Sequence, residues 1–171
     1  NFFSSNSYFL QILIILKNKS SKKKNFSIPI ICVGNIYLGG TGKTPLSVKI
    51  VKILKRLNKK TAIIKKLHTK HSDEFKLIES KQIKLFTSHS RSRAIDEAIK
   101  NGFECVVLDD GFQDFSVNKN LNILCFNEKQ LVGNGMTLPS GPLRESFSSL
   151  ERCQIVIING NVNLEFEKKI N

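Results

Sequence analysis

Gly34-Asn-Ile-Tyr-Leu-Gly-Gly-Thr-Gly-Lys-Thr44 lies between an apolar run, Ile28-Pro-Ile-Ile-Cys-Val33, and a helical repeat of Leu46, Ile50, Ile53, Leu54 and Leu57. Strand, glycine loop, helix is the setting that gives such a loop physical meaning. Its glycines let successive backbone N–H groups turn inward, and the N-terminus of the following helix adds its positive dipole end. The pattern is that of a phosphate-binding loop, in which Lys43 reaches the terminal phosphates of a nucleotide and the Thr44 hydroxyl ligates Mg²⁺. Tyr37 stands where the strict G-x-x-x-x-G-K-[ST] pattern has its first glycine. An ordinary glycine turn is the competing reading, disfavoured by Gly-Lys-Thr at a strand-to-helix junction.

Downstream of the loop, Thr61-Ala-Ile-Ile64 reads as a short buried strand. Residues 65–89 are polar and carry no clear period, with Phe75, Leu77 and Ile78 as anchors. Ser90 is expected to cap a helix from Arg91 to Lys100, stopped by Asn101-Gly102. Cys105-Val-Val-Leu108, Leu121-Asn-Ile-Leu-Cys-Phe126 and Ile155-Val-Ile-Ile158 are further strands. Strands alternating with helical patterns imply an α/β fold, a mostly parallel sheet with helices on both faces. Ligands of such sheets bind beyond the carboxyl ends of the strands.

The strand at Cys105–Leu108 runs into Asp109-Asp110-Gly111. An apolar strand ending in Asp is the usual second half of a phosphate-loop site, where a carboxylate holds Mg²⁺ directly or through water. Successive side chains on a strand point opposite ways, so the two aspartates need not both face the metal. His71-Ser-Asp-Glu74 suits a helix cap, and its acidic pair also suits a base or metal ligand beside a phosphoryl group. The stretch Gly133-Asn-Gly135 with Leu138-Pro-Ser-Gly-Pro-Leu-Arg-Glu145 is dense in turn residues and forms a shaped loop. Arg144 there fits either neutralisation of a transferring phosphate or a surface ion pair.

A chain of 171 residues that is 40% hydrophobic has room for one domain with a real core. Its net charge of +13 comes from 22 Lys and only 5 Arg, alongside 20 Ile and 16 Asn. That bias matches codons rich in A and T, so much of the charge is solvated lysine surface. A specific nucleic-acid reader more usually shows Arg and exposed aromatics. Cys32, Cys105, Cys125 and Cys153 lack C-x-x-C spacing and sit in or beside apolar runs, as buried reduced thiols do. Tyr8-Phe-Leu-Gln-Ile-Leu-Ile-Ile-Leu16 is too short to span a bilayer, and Lys17, Lys19, Lys22, Lys23 and Lys24 follow it. This order suits an amphipathic helix on an anionic membrane surface or, equally, a core helix followed by a solvated linker.

Taken together, Val33-Gly-Asn-Ile-Tyr-Leu-Gly-Gly-Thr-Gly-Lys-Thr-Pro45, Asp109-Asp-Gly-Phe-Gln113 and the Gly133–Glu145 loop resemble the three motifs of the tetraacyldisaccharide 4'-kinases, the lipid A 4'-kinases of Gram-negative bacteria. The resemblance covers nearly the whole chain. It implies a phosphate-loop NTPase-like kinase domain over residues 26–171, preceded by a membrane-interface segment over residues 1–25. The activity implied is transfer of the ATP γ-phosphate to the 4' hydroxyl of a tetraacyldisaccharide 1-phosphate, at the cytoplasmic face of the inner membrane, without nucleic acid. In this family a non-glycine at the position of Tyr37 is normal. The resemblance assigns catalytic roles to Asp73, Lys43 and Asp110. It assigns ATP contacts to Tyr37, Leu38, Gly39, Gly40, Thr41, Gly42, Lys43, Thr44, Gln113, Arg144 and Glu145, and Mg²⁺ ligation to Thr44, Asp109 and Asp110. Asp73 would activate the sugar hydroxyl, and Arg91 matches a family arginine.

Three departures stand out. Lys65-Lys-Leu-His68 replaces the expected Ser-Arg-Gly-Tyr, and the loop to Asp73 is shortened. Asp114 follows Gln113 where the family has His. Family members also continue past the length of this chain into a second half with an Asp-His element, so the chain reads as an N-terminal portion. A basic nucleotide-dependent nucleic-acid-binding protein and a non-catalytic ATP-binding remnant are the alternative expectations.

Overall fold

The computed structural model describes residues 23–67, 72–161 and 164–170. The element order is β1 (Ile30–Gly34), α1 (Lys43–Arg56), β2 (Thr61–Lys66), α2 (Ser72–Ser80), β3 (Leu85–Ser88), α3 (Arg91–Lys100), β4 (Cys105–Asp109), β5 (Leu121–Asn127), a 3₁₀ turn (Phe147–Arg152), β6 (Ile155–Asn159) and α4 (Leu164–Ile170). The six strands form one sheet in the order β3-β2-β4-β1-β5-β6, and every neighbouring pair is parallel. The α/β fold with a parallel sheet is therefore as expected from the sequence. The expected amphipathic membrane helix falls almost wholly in residues 1–22, outside the described residues, as do His68 and His71.

Strand alternation explains why these segments read as continuous apolar runs. Cys32, Ile64, Leu108, Leu124 and Phe126 pack to one face with Ala94, Ile95 and Ala98 of α3 and Phe166 of α4. Val33, Ile63, Val107 and Cys125 pack to the other with Val48 and Val51 of α1 and Ile78 of α2. Both faces are dry, so both sets of side chains must be apolar. Cys32, Cys105 and Cys125 are buried and no cysteine is paired. Burial pushes the Cys125 thiol up to about 12 and the Cys32 thiol up to about 11, as expected for inert packing groups.

The short elements escape sequence reading, β3 and α4 among them. β3 has four residues at the sheet edge, of which only Phe86 is buried, too few to display a period of two. α4 rests on Phe166, whose ring meets Phe126 edge-on at 5.0 Å between centroids. Ser90 occupies the position before α3 in extended conformation, but its side chain makes no capping hydrogen bond. Its own N–H instead donates to Ser88 Oγ at 3.2 Å.

Candidate functional site

The loop between β1 and α1 is braced from beneath by Asn35, which is fully buried. Asn35 Nδ2 donates to the carbonyls of Tyr37 at 2.6 Å and Gly39 at 3.4 Å. Gly42 ends the loop at φ +89, a left-handed conformation that strains any L side chain. A Cβ there would also lie 2.8 Å from Asn159 Nδ2 at the end of β6. Helix α1 starts at Lys43 with no acidic residue in its first turn, so its dipole end faces the loop uncompensated.

The three motifs are bonded to one another. Gln113 Nε2 donates to the Asn35 carbonyl at 2.9 Å. Leu38 N–H donates to the Pro142 carbonyl at 2.8 Å and Arg144 N–H to the Ile36 carbonyl at 2.6 Å, and Tyr37 bridges to Leu143. Gly34 lets the second motif close on the first, since a Cβ there would sit 2.5 Å from Phe112 Cβ.

Asp109 and Asp110 border the same cavity with different partners. Asp109 is fully buried, accepting from Thr44 Oγ1 at 2.9 Å, Ser47 Oγ at 3.2 Å and Lys65 Nζ at 2.6 Å. Asp110 leaves the strand at φ +57, which aspartate tolerates better than most residues. Its carboxylate meets Arg144 Nη1 at 3.0 and 3.1 Å and Lys43 Nζ at 3.7 Å. Burial pushes the Asp110 carboxyl up, yet Lys43, Arg144 and Arg91 together hold it below the usual carboxylate range. Arg91 Nη2 also donates to the Asp110 carbonyl at 2.5 Å, and its Nη1 pairs with Asp114 at 3.1 Å.

A cavity of about 500 Å³ opens over these groups, lined by Gly39 to Pro45, Lys65, Lys66, Asp73, Glu74, Leu77, Arg91, Asp109, Asp110 and Arg144. A second of about 480 Å³ adjoins it, sharing Lys66, Arg91, Asp110 and Arg144 and adding His89, Gln113, Asp114 and Phe115. Asp73, in the first turn of α2, is exposed at the wall of the first cavity. Of the sequence-selected residues, Tyr37, Leu38, Gln113 and Glu145 do not line that cavity. Glu145 is buried, bonded to Arg152 and Gln113, and burial raises its carboxyl despite Arg152. Lys65 and Ser47 hold Asp109 and were missed, because no local pattern marks them.

The residues fit a phosphate ligand and a hard cation. Thr41 Oγ1 is buried in the loop without a hydrogen-bond partner, and a Cβ on Gly40 would meet nothing within 4 Å. Thr44 and the two aspartates offer oxygen donors suited to Mg²⁺. Among the described residues no group of three or more His, Cys, Asp or Glu could hold a metal ion.

The model of the Tetraacyldisaccharide-1-P 4'-kinase family matches residues 7–170, and the chain belongs to that family. A tetraacyldisaccharide 4'-kinase of Pelagibacter ubique is 48% identical over 149 residues, covering 86% of this chain and 47% of the relative. One from Methylobacillus flagellatus is 31% identical over 178 residues, covering 90% and 53%. The chain thus spans about half the length of the curated relatives it matches. The crystal structure of LpxK from Aquifex aeolicus in complex with ATP superposes with a TM-score of 0.78 at 25% identity, over 91% of this chain and 57% of that one. The Signal Recognition Particle 54 kDa protein from Aeropyrum pernix, in complex with GDP, shares the fold with a TM-score of 0.58 at 14% identity, over 92% and 41%.

Proposed function

We propose that this chain, as a member of the tetraacyldisaccharide 4'-kinase family, carries the ATP-binding part of a kinase acting on lipid A precursors. The reaction is transfer of the γ-phosphate to the 4' hydroxyl of a tetraacyldisaccharide 1-phosphate. The observation that supports it best is the convergence of Lys43, Thr44, Asp109 and Asp110 on one cavity beyond the strand ends.

In this reading the Gly39–Thr44 backbone cradles the phosphates of ATP, and Lys43 bears on the terminal one. Thr44, Asp109 and Asp110 hold Mg²⁺, which when bound draws charge from the phosphate oxygens. Arg144 and Arg91 leave part of their pairing with Asp110 to neutralise the transferring group. Asp73 orients the acceptor hydroxyl and takes its proton as that oxygen bonds to the γ-phosphorus and the bond to the ADP oxygen breaks. The adjoining cavity, with Lys66, Arg91 and Arg144 on its wall, offers room and positive charge for the acceptor disaccharide.

The apolar run at Tyr8–Leu16 with its flanking lysines supports attachment at the cytoplasmic face of the inner membrane. Among the described residues no helix is long and apolar enough to cross a membrane. The test supplies the full-length protein with ATP and detergent-dispersed tetraacyldisaccharide 1-phosphate, and follows the doubly phosphorylated lipid. ATP hydrolysis stimulated by DNA or RNA, with no phosphorylated lipid formed, would overturn the reading.

A further inference from the structure

Lys65 ends the apolar run of β2 and is 4% exposed. A buried ammonium is costly unless paired, and this one has two partners. Its Nζ lies 2.6 Å from Asp109 Oδ2 and 2.5 Å from Glu74 Oε2 of α2. The same Asp109 oxygen accepts the Thr44 hydroxyl at 2.9 Å. Thr44 and Asp109 are the oxygen donors that the nucleotide reading assigns to Mg²⁺. The ammonium therefore stands where those donors converge.

We propose that Lys65 is a tethered monovalent cation seated in the divalent-cation site of the nucleotide-free protein, so that Mg²⁺ enters only together with nucleotide. The inference rests on the phosphate-loop reading and goes beyond it. Without Lys65, Asp109 would be a fully buried carboxylate facing only the hydroxyls of Thr44 and Ser47, and it would attract any divalent ion. With Lys65 in place, a free divalent ion must displace a positive charge already in contact with its ligand. Nucleotide changes the balance, because its phosphate oxygens add ligands to the ion and partners to the ammonium. The long lysine stem can then rest on Glu74, which is half-exposed at the cavity wall.

The test measures Mn²⁺ binding by the free-ion electron paramagnetic resonance signal, on full-length wild type, Lys65→Met and Lys65→Arg. Each is measured alone and with a non-hydrolysable ATP analogue, and thermal melts check folding. Without nucleotide, Lys65→Met should bind Mn²⁺ about tenfold or more tighter than wild type, and Lys65→Arg should not. With analogue, the difference between wild type and Lys65→Met should shrink. Equal Mn²⁺ affinity of folded wild type and Lys65→Met without nucleotide overturns the proposal. So does a Lys65→Met variant that loses the analogue without gaining Mn²⁺, since Lys65 would then be a phosphate ligand. If Lys65→Met fails to fold, the wild type still decides: Mg²⁺ alone should leave its melting temperature unchanged, and a rise overturns the proposal. A wild type that binds no analogue would instead overturn the nucleotide reading itself, a result separable from every Mn²⁺ comparison.

Discussion

In the loop from Gly34 to Thr44 the working shape is made by backbone. Glycines permit the turn, Asn35 braces it through two carbonyls, and Leu38 and the Arg144 N–H tie it to the third motif. Across the two cavities, Lys65, Glu74, Arg91 and Asp114 make theirs by charge, through ion pairs that join separate elements. Backbone-built geometry tolerates no extra atom at Gly34 or Gly42, whereas charge-built geometry tolerates changes of shape better than changes of sign.

Four changes would break or sharpen that contrast. Lys43→Ala leaves the loop backbone intact and removes the one charge it presents, so lipid phosphorylation by the full-length protein should fall by about 10²–10³-fold or more. Steady-state transfer with dispersed lipid measures this, and normal turnover would refute the assignment of the loop. Gly34→Ala adds a single methyl against Phe112 Cβ, and should cost about 1–3 kcal/mol in denaturant unfolding. A neutral result there would mean the first two motifs are not packed as described.

On the charge-built side, Asp114→Asn should cost about 1 kcal/mol at neutral pH, with a pH signature. Burial pushes the Asp114 carboxyl up, but hydrogen bonds from Ser116 and the pairing with Arg91 outweigh it and hold it below the usual range. Its stabilisation is therefore present above the unfolded carboxylate value and is lost as pH falls through the depressed one. Unfolding curves of wild type and variant should differ most at neutral pH and converge as pH falls below the usual carboxylate range. A gap independent of pH would assign Asp114 to packing alone. Glu74→Gln should have the smallest effect, about 0.5 kcal/mol, because the carboxylate is half-exposed and screened by water. Calorimetric titration with an ATP analogue and Mg²⁺ should show a modest loss of affinity, because the variant removes the carboxylate on which the displaced Lys65 ammonium rests, and an unchanged affinity would take Glu74 out of that exchange.

The strands at Ile30, Thr61, Cys105 and Leu121 were legible because burial on both faces leaves a continuous apolar run, and the edge strand at Ile155 because Ile-Val-Ile-Ile is apolar and β-branched throughout. Helix α3 was legible to its ends, since periodicity and Asn101-Gly102 are local signals. β3 was not, because a four-residue edge strand with one buried side chain has no readable period. The Ser90 position was legible, but its side chain makes no capping bond and its backbone N–H donates to Ser88 Oγ.

The Gly39–Thr44 loop and the strand end at Asp109-Asp110 could be located from sequence because contiguous residues suffice to define a loop and a strand end. That Asp109 faces inward while Asp110 turns to Arg144 depends on a left-handed backbone at Asp110, which no neighbouring residue announces. That Glu145 braces Gln113 and Arg152, away from the cavity, depends on how the third motif folds back. Lys65 is the clearest case of what sequence cannot show. In sequence it is one lysine among 22. Placing β2 beside β4 in the register Lys65↔Asp109 sets its ammonium against a buried carboxylate 44 residues away. Local chemistry determined the loop, the strands and the family. The pairing of charges was decided only by strand order and register, because those alone bring distant residues within hydrogen-bonding reach.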